Sequence, residues 1–163
     1  MEGIVHVRID ARMIHGQVAA FWSNSLRVNR IMVANDAVAV DEITKSALRM
    51  VAPSGMRTSL ISLETAAKNI QAGKYTGQRV LLILTSPLDA VKLMDLGLNI
   101  TSINVGNMSK RENTIQIKRS VSVTDEEAKA FHELDKRGVE LTSIMVPDEP
   151  KSYIMEYLEK SGL

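Results

Sequence analysis

Runs of apolar residues long enough for strands alternate with stretches whose apolar positions recur every three or four residues. Residues 4–9 predict a first strand, followed by a polar loop and a helix over about 16–26. Residues 31–34 predict a second strand. Ile43, Ala47, Leu48 and Val51 then fall at helical spacing in a helix over about 41–51. Pro53, Ser54 and Gly55 punctuate the turn into a third strand at 56–61. The helix after it, about 63–72, is closed by Gly73 in the usual position beyond a helix end.

Residues 80–84 are continuously apolar, the pattern of a strand buried on both faces. Ser86 and Pro87 supply a side-chain cap and a first-turn proline for a helix that reaches about Leu96 and stops at Gly97. Strands are predicted at 102–105, 115–117 and 121–123. Thr124 with Glu127 gives a capping-box signature for a helix running to Arg137. A last strand over 140–146 and a terminal helix over 152–160 complete the chain. This alternation predicts one α/β domain over residues 1–163, with an open, mostly parallel twisted sheet flanked by helices. Ligands of such sheets bind at the carboxyl ends of the strands. Attention therefore goes to the loops beginning at Asp10, Asn35, Thr85 and Gly106.

Composition narrows the chemistry. With no cysteine, disulfides, thiolate metal sites and cysteine nucleophiles are excluded. Twenty basic residues face nineteen acidic ones, so the clustered basic excess of a nucleic-acid binder is missing. Lys110, Arg111, Lys118 and Arg119 read as solvated rims or a docking patch. No apolar run approaches the roughly 20 residues that span a bilayer, and the amino terminus does not read as a signal peptide.

The segment 8–18, RIDARMIHGQV, concentrates charge directly after the first strand. A neutral imidazole, with an unperturbed pKa of about 6.5, is a competent nucleophile toward phosphorus. His15 is the candidate. Arg12 can fork onto phosphoryl oxygens, and the backbone N–H groups of Gly16, Gln17 and Val18 would open a helix start, which favours anions. Asp10 can accept from the imidazole N–H or hold Arg12 in place. The plainer readings make His15 a helix cap and pair Arg8 and Arg12 with Asp10 and Asp36 as surface ion pairs. His6 reads as a strand-face residue, and His132 as solvated. Asp36 is divided between site residue and turn residue, with Asn35 beside it tolerating an unusual backbone angle. Thr85 and Ser86 can offer hydroxyls to an anion, although capping already accounts for Ser86. Gly106 to Met108 reads as a turn first and a site loop second. His6, Asp10 and His15 lack a recognised metal-ligand spacing.

These residues carry a resemblance. Arg8, Ile9, Asp10, Arg12, Ile14, His15, Gly16, Gln17 and Val18 match a motif of the form RID-x-R-x-IHGQV, and the chain resembles the mannose-family (mannose–fructose–sorbose) enzyme IIB of the sugar phosphotransferase system. Agreement extends to Asp36, Val38, Ala39 and Asp41, to Ala52-Pro53, to Ile103 through Gly106 with Met108, and to Arg137-Gly138-Val139. The resemblance implies that His15 accepts phosphoryl from a phosphohistidine on enzyme IIA. His15 then delivers it to a sugar held by the membrane components IIC and IID. Arg12 would steady the phosphoryl group and Asp10 orient the loop. It further implies no cofactor and no metal, and a cytoplasmic chain peripherally associated with its transporter without inserting in the membrane. Self-association and sugar identity stay open. Asn35 and Ser109 depart from the acidic residue and the histidine that many relatives carry.

Two other classes compete. A signalling receiver needs an acidic metal pocket, whereas Asp10 is flanked by arginines. An anion- or sugar-phosphate-binding module would use the same loop without turnover.

Overall fold

The computed structural model describes residues 1–163. Eight strands form in chain order: β1 (Ile4–Asp10), β2 (Arg30–Ala34), β3 (Arg57–Ile61), β4 (Val80–Leu84), β5 (Ser102–Asn107), β6 (Ile115–Lys118), β7 (Val121–Val123) and β8 (Glu140–Thr142). The helices are α1 (Gly16–Leu26), α2 (Asp36–Ala39), α3 (Glu42–Val51), α4 (Leu63–Gln71), α5 (Pro87–Asp95), α6 (Asp125–Lys136) and α7 (Ile154–Lys160). Six strands make one sheet in the order β3-β2-β4-β1-β5-β8, and every pairing is parallel. β6 and β7 pair antiparallel as a separate hairpin. The predicted α/β class is the one observed.

Parallel strands buried on both faces need apolar residues on both, and β4 supplies them without a break. The core accordingly divides in two. Twenty-nine buried residues, including Val7, Ile9, Leu82 and Phe131, fill the face covered by α4, α5, α6 and α7. Only twelve, among them Trp22, Leu48, Leu81 and Ile83, fill the face covered by α1 and α3. The second face is thin because β1 turns polar residues toward it. Val7 and Ile9 point one way, and the alternation of a strand sends His6, Arg8 and Asp10 the other.

Caps set the helix starts. Asp41, Ser62, Ser86 and Thr124 each accept from first-turn amides of α3, α4, α5 and α6, and Thr124 with Glu127 closes the predicted capping box.

Four expectations are corrected. The last strand stops at Thr142, because the peptide of Ile144 is taken by side chains. Asn104 donates to its carbonyl and accepts from its N–H, both at 3.0 Å, in the manner of a neighbouring strand. Residues 36–39 form a short helix where a loop was expected. Asn35 is extended (φ −158°), and its carboxamide caps that helix through the Val38 amide. Of the apolar positions predicted along α3, only Leu48 is buried, while Ile43, Ala47 and Val51 face outward.

Candidate functional site

β1 lies between β4 and β5, and the helix that follows it turns to the opposite face from α5. Its carboxyl end therefore meets the crevice where strand order reverses, the favoured ligand position in such sheets. Residues 11–15 cross that end, and each is held by a different device. The Ala11 amide donates to the Asn107 carbonyl at 2.9 Å, and Met13 donates back to Asp10, closing a turn with Met13 left-handed at φ 64°. Ile14 is buried among the smaller core. His15 is left exposed on top, as the residue before α1.

Asp10 organises the loop from beneath. It is 1% exposed and accepts from the Arg12 amide, from Arg12 Nε and Nη2 in a fork at 3.0 Å each, and from Arg8 Nη2 at 3.3 Å. Of the two roles open to Asp10 in the sequence, the geometry has it holding Arg12. Two guanidiniums against one carboxylate leave one net positive charge under the loop. Because Asp10 engages Nε and Nη2, Nη1 of Arg12 is left for an incoming anion, and the side chain is 30% exposed.

Arg8 is not a surface residue. It is 2% exposed and donates to the Ile144 carbonyl at 3.2 Å, with its guanidinium carbon 5.3 Å from the Trp22 ring centroid. Burial lowers its pKa, and Asp10 opposes that shift. The Trp22 ring also stacks on His6 at 4.6 Å between centroids, and its indole N–H donates to the Met145 carbonyl at 2.9 Å. Desolvation, with the Arg8 charge adding to it, lowers the His6 pKa to about 4, so the ring is neutral at neutral pH. Its Nε2 is buried without a hydrogen-bond partner.

The room for Arg8 comes from Gly106. Ile9 pairs Val105 while Asp10 pairs Asn107, so Gly106 is a bulge opposite the site. A Cβ there would collide with the Arg8 guanidinium. Residues 106–107 thus end β5, and Met108 bridges to Val121, where a turn had been predicted.

The start of α1 differs from those of α3 to α6. No side chain caps it, and no acidic residue lies in its first turn. The first helical bond runs from Ala19 to the His15 carbonyl, so the Gly16, Gln17 and Val18 amides have no partner inside the helix. A capping side chain typically stabilises a helix by about 1 kcal/mol, and this helix forgoes it beside an exposed imidazole. A Cβ added at Gly16 would lie 3.4 Å from the Val51 carbonyl at the end of α3, so the start of α1 packs closely on that helix.

Asp36 and Thr85 stand apart from this cluster. Asp36 accepts from the Leu63 amide at the start of α4 and from Lys92, both at 3.0 Å, and pairs with neither arginine. Thr85 accepts from Asn35 and donates to Asp89, whose carboxyl is raised by burial. Thr85 and Ala11 also line a cleft of about 430 Å³ with Leu88, Met108 and Arg111, and His15 is not among its walls. Arg111 itself is tied to Glu127 at 2.8 Å. His132 is exposed, as expected.

Arg8, Trp22, Asn104 and Gly106 are the residues that sequence reasoning placed wrongly or passed over. One signal was available for Arg8. Polar residues at every second position of a central strand, His6, Arg8 and Asp10, mark a polar strip inside a buried face.

Residues 4–163 match the family described as the PTS system sorbose subfamily IIB component. The sorbose-specific EIIB component of Klebsiella pneumoniae is 35% identical over 159 residues, covering 98% of this chain and 97% of that protein. The mannose-specific EIIAB component of Escherichia coli K12 is 39% identical over 153 residues, 94% of this chain and 47% of its own length. The chain thus spans about half the length of those mannose-specific relatives. Among solved structures, the IIBSor domain of the Klebsiella pneumoniae sorbose permease superposes with a TM-score of 0.93 at 35% identity, covering 99% of this chain and 98% of that one. The Escherichia coli N-acetylgalactosamine-specific IIB component 1 gives 0.86 at 31% identity, with 93% and 99% covered. This chain belongs to the sorbose subfamily of phosphotransferase-system IIB components.

Proposed function

We propose that the protein is a phosphoryl carrier: His15 takes a phosphoryl group from a phosphohistidine on enzyme IIA and passes it to a sugar bound by the membrane components IIC and IID. The observation that carries this reading is an exposed imidazole at an uncapped helix start, three residues after an arginine that Asp10 holds in a fork. A neutral ring nitrogen of His15 attacks phosphorus, and the N–P bond of the donor breaks. A donor ring protonated on its other nitrogen leaves as neutral imidazole, so no separate proton transfer is needed. In the second half the N–P bond of His15 breaks as a sugar hydroxyl oxygen bonds phosphorus; His15, still protonated on its other nitrogen, leaves as neutral imidazole, and the hydroxyl proton passes to solvent.

The three equatorial oxygens of the transferring group carry the charge, and catalysis is positioning plus electrostatic stabilisation. The Arg12 guanidinium and the amides of Gly16, Gln17 and Val18 supply fixed donors. Asp10 keeps Arg12 aimed, and Arg8 keeps Asp10 aimed. Asp36 and Thr85 act on neighbouring loops through Leu63, Lys92 and Asn35. His15 is exposed at the end of its loop and outside the walls of the 430 Å³ cleft, which suits a donor and an acceptor that arrive on other proteins. The test is His15→Ala with phospho-IIA as donor: the variant should fold and take no phosphoryl group. Unchanged labelling would refute the assignment.

A further inference from the structure

Met145 stands outside the 8–18 motif, yet its side chain and its carbonyl both reach the site. Its thioether sulfur accepts from Nη2 of Arg12 at 3.5 Å and from Nη2 of Arg8 at 3.6 Å. The same two nitrogens donate to Asp10 Oδ2 at 3.0 and 3.3 Å, so the sulfur takes up donor capacity that the carboxylate leaves over. The Met145 carbonyl accepts from the Trp22 indole of α1 at 2.9 Å, and its amide donates to Glu149 at 3.2 Å. One residue earlier, Asn104 clamps both the amide and the carbonyl of Ile144, and Arg8 holds that carbonyl as well. The main chain that carries the sulfur is therefore fixed.

Every other hydrogen bond of Arg12 goes to Asp10, two residues back. That fork is local, and it sets the guanidinium against its own loop. No hydrogen bond joins Arg12 directly to α1, whose first amides are the other donors of the site. Met145, 133 residues away in sequence, supplies the link, bonding Trp22 of α1 through its carbonyl and Arg12 through its sulfur. We propose that Met145 is a positioning residue that holds Arg12 in register with the start of α1, so that guanidinium and helix amides converge on the phosphoryl group at His15; the inference rests on the phosphoryl-carrier reading above. A thioether is a weak acceptor. Its large, polarisable sulfur suits contact with two flat cations, where a second carboxylate would draw Arg12 away from Asp10. Donors act on a transferring charge only when held to within about 0.5 Å, and a misplacement of about 1 Å can cost about 100-fold in rate.

The experiment follows transfer from phospho-IIA to His15 by rapid quench in wild type, Met145→Leu and Met145→Ala, and repeats both substitutions in an Arg12→Ala background. Leucine keeps most of the bulk and removes the sulfur. Urea unfolding of each variant fixes the folded fraction to which its rate is normalised. Met145→Leu should lower the maximal rate about fivefold, with the KM for phospho-IIA within about twofold of wild type. Met145→Ala should lose at least as much. In the Arg12→Ala background the same changes should alter the remaining rate by less than about twofold, because the residue acts through Arg12. A purely structural role would slow transfer equally in both backgrounds, and that result would overturn the inference. So would a Met145→Leu protein with the wild-type maximal rate, or a loss confined to KM. Absence of any label on wild-type His15 from an active phospho-IIA would strike the carrier reading, and this inference with it.

Discussion

Asp10 accepts from two arginines and one amide at once, so each side chain around it can be changed with a distinct consequence. Arg12→Lys keeps a positive charge but loses the planar fork that spans both carboxylate oxygens. Transfer should slow by about 100-fold, the usual cost of one misplaced donor at a charged transition state. The fold should hold, because Arg12 is partly exposed. Rapid-quench transfer from phospho-IIA reads the rate, and a wild-type value would make Arg12 structural. His6 tests the other end of the strip. Its folded pKa is about 4, against about 6.5 for an unperturbed imidazole. Between those values the unfolded chain binds a proton that the native one refuses, so stability falls as pH drops from 6.5 toward 4. The full cost is about 3 kcal/mol at 1.36 kcal/mol per pKa unit. His6→Phe keeps an aromatic ring against Trp22 and should flatten the decline in urea midpoint between pH 7 and pH 4.5. A decline as steep as wild type would place the acid sensitivity in other groups.

At the level of elements, the site depends on one irregularity in β5. The bulge at Gly106 leaves space that the Arg8 guanidinium fills. Gly106→Ala should destabilise the protein by about 1–3 kcal/mol, as overpacking does, and should also slow His15 labelling by displacing Arg8 and with it Asp10. Urea unfolding and labelling kinetics on the same sample separate the two effects. A stable and fully active variant would show that Arg8 has another place to go. The sequence made the strands and capped helices legible because their signals are local: period, cap and breaker. Thr124 with Glu127 and Ser86 with Pro87 are such cases. The bulge, the early end of β8 and the outward face of α3 were not legible. Each depends on a neighbour distant in sequence: Arg8 against Gly106, Asn104 against Ile144, and an unfilled surface beside His15. A helical apolar period says that one face wants cover, but not whether this chain supplies it.

For the whole molecule, the six-stranded sheet divides labour between its faces. The larger core under α4 to α7 holds the fold, and the smaller one under α1 and α3 accommodates the strip of His6, Arg8 and Asp10. The motif itself was readable at 8–18, and so was the place of His15 directly before α1. The burial of Arg8 was not, because charged residues are almost never fully buried unless paired and its partners come from β1, α1 and the segment after β8. The central claim is that His15 carries the phosphoryl group. Its most direct measurement is incubation with phosphoenolpyruvate, the general phosphotransfer proteins and a matching enzyme IIA, followed by intact mass and peptide mapping under non-acidic conditions. One acid-labile phosphoryl group per chain, mapped to His15, is the predicted result. A group on another residue, or no group from an IIA shown to be active, would contradict it.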